Sequence, residues 1–130
     1  MSNPPERRSS PRQPASGVAW LTARSCKRAR RGERAEAWVA DLSNRSVGLR
    51  TAMPLQPGDR LEFHGRFFEI ALDLEITVVS ARPSPRGGST MAGCQFGELS
   101  VDQRVALERI LLGRAAQDDL GLSEAFRRSA

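Results

Sequence analysis

The sequence predicts a mainly β fold, a six-stranded antiparallel β-barrel with a C-terminal helix covering one end. Between residues 18 and 96, apolar side chains recur at every second position in six short runs, which is the period of β-strands. Clusters of Gly, Pro, Asn and Asp separate these runs, and after residue 100 the apolar period lengthens to that of a helix. Six short strands usually remove their exposed edges by closing into a barrel. The chain has 130 residues, a length typical of one domain.

The six strands differ in how clearly the pattern defines them. The clearest is the fifth, in which every second residue from Ile70 to Val78 is apolar. Trp20 and Trp38 lie at matching places in the first two strands, and both are predicted to point into the barrel core. The alternative is that one of them lines a ligand-binding surface. The first strand starts at Val18 and is expected to span about eight residues. The other five are predicted at Glu36–Ala40, Val47–Ala52, Arg60–Gly65, Phe68–Ala81 and Thr90–Phe96.

A helix is predicted to follow the last strand. Ser100 and Gln103 have the spacing of a capping box, in which each side chain bonds the backbone N–H of the other residue. Gly113 is well placed to end this helix. A further short helix is predicted over Asp118–Arg128, on the weaker evidence of one apolar pair. The apolar face of the first helix consists of Leu107, Ile110 and Leu111.

The chain divides into three parts by composition. Residues 1–16 contain four prolines and three arginines without apolar periodicity, so this segment cannot bury enough surface to fold alone. It is predicted to be a flexible arm. Residues 17–113 form the predicted barrel and helix, and residues 114–130 form a C-terminal extension.

Arginine dominates the positive charge of the chain. Lys and Arg total 20 against 15 acidic residues, giving a formal net charge of +5, and Lys27 is the only lysine. A guanidinium presents a planar fork to phosphates and to the guanine edge, whereas an ammonium is a point charge. The bias therefore suits an anionic ligand, although a genome rich in Arg codons explains it equally. The basic loop between the first two strands, SCKRARRGER, is either a solvated hairpin tip or a surface that attracts anions.

Several classes of function lack support in the sequence. Cys26 and Cys94 show no metal-ligand spacing, and His64 is the single histidine, so no metal site is predicted. No catalytic set is visible, and we expect the protein not to be an enzyme. No stretch approaches the ~20 apolar residues of a membrane helix. The N-terminus also lacks the apolar segment of a signal peptide, which predicts a cytoplasmic protein.

Two short motifs carry a family resemblance. Arg8 and Arg12 are separated by three residues before the first strand, with Arg7 beside them, and the turn Asp41-Leu42-Ser43-Asn44-Arg45-Ser46-Val47-Gly48 joins two strands. The two motifs occur in this order and are followed by the remaining strands and the helix. With this arrangement, the chain resembles the PilZ-domain family from about Glu6 to Gly113. The family pattern is RxxxR followed by D/N-x-S-x-x-G. Ser46 stands where the family usually has glycine, which permits positive φ and close ligand approach. Serine there costs roughly 1 kcal/mol if the left-handed conformation is kept, or it changes the turn.

The resemblance implies that the chain binds cyclic di-GMP, with no other cofactor. It implies that Arg8 and Arg12 grip the ligand, with Arg7 in support. It also implies that Asp41 and Ser43 face the ligand, alongside Ser46 and Gly48. A carboxylate can accept hydrogen bonds from guanine N1–H and the exocyclic amine, and arginine can bond phosphate or guanine O6 and N7. Asp41 and Ser43 are equally suited to bonding nearby backbone amides in an Asx-type turn.

The predicted function is a cyclic di-GMP effector whose arm becomes ordered on the ligand and which then signals to an unidentified protein partner. An alternative is a ligand-independent adaptor on the same fold, which the serine at position 46 favours. A second alternative is a nucleic-acid-binding barrel that uses the basic loop. Aromatic residues make up only 5% of the chain and tyrosine is absent, which leaves few platforms for stacked bases and disfavours nucleic acid.

Overall fold

The computed structural model describes residues 17–85 and 87–113, which form a closed six-stranded antiparallel barrel followed by a helix. The strand order around the barrel is β1-β2-β3-β6-β5-β4, and every neighbouring pair is antiparallel. The predicted fold class is therefore confirmed. The strands are β1 (Val18–Ser25), β2 (Arg34–Leu42), β3 (Ser46–Thr51), β4 (Arg60–Phe67), β5 (Ile70–Pro83) and β6 (Thr90–Phe96), and the helix α1 covers 101–113.

The connection between β4 and β5 differs from the prediction. The fifth strand was expected to begin at Phe68, but Phe68 and Glu69 have φ angles of 50° and 68° and form a two-residue hairpin turn. Positive φ at both positions matches the right-handed twist of the flanking strands, but it is usually supplied by Asn and Gly. The ring of Phe68 lies against Gly113, where a Cβ would come within 3.2 Å of it. The turn is therefore placed by contact with the helix, and local sequence gives no signal for it.

The interior of the barrel is filled by one alternating face of each strand. The predicted inward series of the long strand is confirmed from Leu72 to Val78, whereas Ile70 is only half-buried. The rings of Phe63 and Phe67 stack with centroids 6.5 Å apart. The helix adds Leu107, which is buried in the same core.

The placement of both tryptophans in the core is wrong. Trp20 and Trp38 are 44% and 45% exposed on the outer wall of the barrel. In β1 the inward positions are held by Ala19 and Leu21, because large side chains from other strands already occupy the interior. Outside, the Arg34 guanidinium lies 5.2 Å from the centre of the Trp20 ring, within the range of a cation–π contact.

The predicted capping box starts the helix. The Ser100 hydroxyl accepts a hydrogen bond from the Gln103 N–H at 3.1 Å, and the Gln103 side-chain oxygen accepts one from the Ser100 N–H at 2.8 Å. The Gln103 amide nitrogen also donates to the Asp73 carbonyl at 2.9 Å, which fixes the start of the helix to β5.

Gly113 is still helical, and the predicted helix Asp118–Arg128 lies outside the described residues. No helical stretch within 17–85 and 87–113 is long and apolar enough to cross a membrane.

Asp59 ties the base of the basic loop to the barrel. Its side chain is 1% exposed, and its two carboxylate oxygens accept hydrogen bonds from the backbone N–H groups of Lys27 at 3.1 Å and Gln56 at 2.9 Å. Its backbone carbonyl accepts from the Val78 N–H at 2.8 Å. The buried carboxylate therefore joins two loops, and the backbone of the same residue bonds the long strand β5.

Replacing Asp59 by alanine should leave two backbone N–H groups without acceptors and cost about 2–3 kcal/mol of unfolding free energy. Asp59→Asn keeps one oxygen acceptor and should lose less. Urea unfolding followed by circular dichroism measures both. Glu108→Ala, at an exposed helix position, is the control and should change stability by less than about 0.5 kcal/mol. Equal stability of Asp59→Ala and the control would contradict this role.

The two cysteines should differ in reactivity. Cys94 is 1% exposed, and burial raises the pKa of its thiol to about 12. Cys26 is half-buried, and its pKa is raised by partial burial and by the negative charge of Asp59. Since the thiolate is the reactive form, alkylation at mildly alkaline pH should modify Cys26 slowly and Cys94 only after unfolding. Mass spectrometry of the native and denatured protein measures this, and rapid native labelling of Cys94 would contradict it.

Candidate functional site

The turn between β2 and β3 is organised by Ser43. Its hydroxyl accepts hydrogen bonds from the backbone N–H groups of Arg45 at 3.2 Å and Ser46 at 3.1 Å. Its own N–H donates to the Ser46 carbonyl at 2.9 Å. These contacts are those of a serine-stabilised turn. The Ser43 side chain therefore has a structural role in this turn.

Ser46 occupies the position of the family's usual glycine without backbone strain. It is the first residue of β3 and pairs with Gln95 of β6. Among the non-glycine residues that the structure describes, positive φ occurs only at Phe68 and Glu69. The expected cost of a left-handed serine does not arise. Instead, the Ser46 hydroxyl lies 3.0 Å from that of Ser43 and supports the turn.

A β-bulge directs Asp41 onto the outer wall. Val39 pairs with Leu49, but Asp41 pairs with Gly48, so β2 contains one extra residue at this point. The Asp41 carboxylate then lies directly over Gly48. A Cβ at position 48 would be 2.9 Å and 3.0 Å from the two carboxylate oxygens, so only glycine leaves room for them.

A groove on the outer wall begins at this carboxylate. Its floor is the pair Gly48 and Gly93, which lie opposite each other in β3 and β6 and expose backbone. A Cβ at Gly93 would be 2.9 Å from the Ser80 hydroxyl oxygen. The groove has a volume of about 440 Å³, within the range of small-molecule sites. Its lining residues are Ala40, Asp41, Gly48, Leu49, Ser80, Ala81, Arg82, Met91, Ala92 and Gly93.

A second hollow of about 280 Å³ continues the groove toward the turn. It shares Asp41, Gly48, Ser80 and Gly93 with the first and adds Ser46. Three of the residues predicted from the sequence therefore line one continuous surface: Asp41, Ser46 and Gly48. Ser43 lies in the adjoining turn, and Arg7, Arg8 and Arg12 lie outside the described residues.

The sequence motifs did not identify the opposite side of the groove. Ser80 and Arg82 come from β5, where a second bulge at Val79 shifts the register so that Ser80 pairs with Gly93 and Arg82 with Met91. These positions are more than thirty residues from the motif around Asp41. A glycine inside the last strand was the one available signal, because strand glycines often mark close approach by a backbone or ligand.

Two arginines beside the basic loop are paired with carboxylates of the barrel wall. Arg24 at the base of the loop forms an ion pair with Glu62 of β4, and the hydrogen bond from Arg24 lowers the pKa of Glu62. Arg60 pairs with Glu75 at 2.7 Å.

Across the described ranges, no group of three or more His, Cys, Asp or Glu side chains is arranged to hold a metal ion.

Comparison with known proteins places this architecture in a family. The PilZ domain model matches residues 6–113. The fold is similar to MrkH of K. pneumonia in its apo state, with a TM-score of 0.62 and 19% identity over 88% of this chain and 55% of that chain. A second MrkH crystal structure gives a TM-score of 0.61 and 19% identity over 88% and 53%. This chain therefore spans about half the length of MrkH. The search of curated proteins finds no match. Because the family model covers most of its residues, the chain belongs to the PilZ-domain family.

Proposed function

We propose that the protein is a cyclic di-GMP-binding effector, whose ligand lies in the groove beside Asp41 and is gripped by arginines of the N-terminal arm. The PilZ family is a family of cyclic di-GMP receptors. The observation that carries the proposal is the Asp41 carboxylate over a glycine floor. A carboxylate there can accept hydrogen bonds from guanine N1–H and the exocyclic amine, while the bare floor lets a flat base approach the backbone closely.

The path of the chain supports a role for the arm. Val18 pairs with Trp38, and a Cβ at Gly17 would lie 2.9 Å from the Val39 carbonyl oxygen. Gly17 therefore lies beside Val39, two residues before Asp41 in β2. Arg12 is five residues before Gly17, and five residues span at most about 18 Å. The closeness of Gly17 to this part of β2 supports our assignment of Arg8 and Arg12 to a ligand in the groove.

Ligand binding in this proposal orders the arm and changes the surface near its root. That surface includes the exposed ring of Trp38, directly opposite Val18. Exposed tryptophans are common anchors of protein interfaces. A protein partner in the cytoplasm would then recognise the ligand-bound form. The ligand-independent adaptor is the second candidate, because Ser46 is unstrained but does not adopt the positive φ through which the family's glycine permits close ligand approach.

Isothermal titration calorimetry with cyclic di-GMP tests the proposal. Arg8→Ala, Arg12→Ala and Asp41→Asn should each lower the affinity by about tenfold or more, since each removes hydrogen bonds to a charged group or a base edge. Arg66→Ala, at an exposed position of β4 outside the groove, is the matched control. Binding should also weaken as salt rises. Absence of binding by the wild type, or unchanged affinity in all three variants, would refute the proposal.

The glycine floor gives a second prediction. Gly48→Ala should fold normally but displace the Asp41 carboxylate and fill the groove, lowering the affinity for cyclic di-GMP by about tenfold. Gly97→Ala is the control, because a Cβ there meets its nearest atom at 3.7 Å, an ordinary contact. Thermal unfolding verifies the fold of each variant, and calorimetry compares their affinities. Equal affinities would show that the ligand lies elsewhere.

A further inference from the structure

The groove carries a second charged side chain that the motifs of the sequence do not include. Arg82 lines it from β5, on the side opposite Asp41. We propose that Arg82 binds the O6 and N7 acceptors of a guanine whose donor edge is bound by Asp41, so that the barrel wall itself selects guanine over adenine. This inference rests on the proposed function and adds the residue that determines base specificity.

The strand order places the two charges at a suitable separation. Asp41 is in β2 and Arg82 in β5, and only β3 and β6 lie between them. Three interstrand spacings amount to about 14 Å along the wall. Gly48 and Gly93 form the floor of that interval. A planar base lying on this floor can be reached by a short carboxylate from one side and a long guanidinium from the other.

The register directs Arg82 outward. After the bulge at Val79, Ser80 pairs with Gly93 and Arg82 pairs with Met91, all on the outer face, while Ala92 between them is buried. Arg82 is exposed, and within the described residues no carboxylate forms an ion pair with it. Met91 lines the groove beside it and offers an adaptable apolar surface to a base.

The hydrogen-bonding groups of Asp41 and Arg82 are complementary to those of guanine and not to those of adenine. Guanine presents N7 and O6 acceptors that an arginine binds with two parallel hydrogen bonds. Its N1–H and exocyclic amine are donors that suit a carboxylate. Adenine carries a donor amine in place of O6, so Arg82 would meet a donor there. The pair Asp41 and Arg82 therefore discriminates at both edges of the base.

Calorimetry with cyclic di-GMP and its analogue built from 7-deazaguanine, which lacks the N7 acceptor, tests this assignment. The wild type should bind cyclic di-GMP about 5- to 50-fold more tightly than the analogue. Arg82→Ala should bind cyclic di-GMP more weakly than the wild type by a similar factor, and it should no longer distinguish the two ligands. Arg82→Lys keeps the charge without the fork and should also lose most of the preference. Arg66→Ala is the control and should keep the wild-type preference.

The affinity of Arg82→Ala for the two ligands determines whether Arg82 contacts the base. If the wild type binds cyclic di-GMP and Arg82→Ala binds it equally well, Arg82 has no part in the site. If Arg82→Ala weakens binding but keeps the preference over the 7-deaza analogue, Arg82 contacts another part of the ligand and the base assignment is wrong. Failure of the wild type to bind at all would overturn the proposed function. Thermal unfolding of each variant verifies the fold, and Arg82→Gln replaces the alanine variant if that one is unstable.

Discussion

The close contact between the Asp41 carboxylate and Gly48 is the constraint on which the groove depends. The carboxylate occupies the space that a side chain at position 48 would need. The bulge at Ala40 supplies the extra residue that brings Asp41 to this position. Across the sheet, Gly93 has the same relation to the Ser80 hydroxyl. Paired glycines therefore give the barrel wall a bare floor, and polar side chains from neighbouring strands lie over its margins.

Much of the fold follows from local patterns. The period of two in the long strand and the capping box at Ser100 are each encoded within a few residues, and the structure confirms both. The tryptophans show where local pattern fails. Both alternating sets of residues in β1 begin with apolar side chains, Val18 and Trp20 in one and Ala19 and Leu21 in the other, so periodicity cannot determine which set faces inward. That choice depends on the volume contributed by Phe63 and Phe67 from another strand.

The residues of the candidate site also fall into two groups, those that a local motif identifies and those that only strand register brings to the groove. Asp41, Ser46 and Gly48 fall within one short segment, and a motif can identify them together. Ser80 and Arg82 reach the groove only through the register of β5 against β6, which a bulge shifts by one residue. A one-residue shift reverses the face of every side chain that follows. Residues brought to a site by such a shift cannot be assigned from the sequence pattern alone.

The groove and the arm have different energetic roles in the proposed mechanism. The floor and its carboxylate are held by strand pairing, so the ligand meets them already in place and loses little free energy to ordering. The arm has no such support in its composition and must lose conformational entropy when it closes over the ligand. Base recognition by the rigid wall can provide affinity before the arm engages. The arm then adds contacts only when a guanine-containing dianion is present, which makes its order a readout of the ligand's identity as well as of its presence.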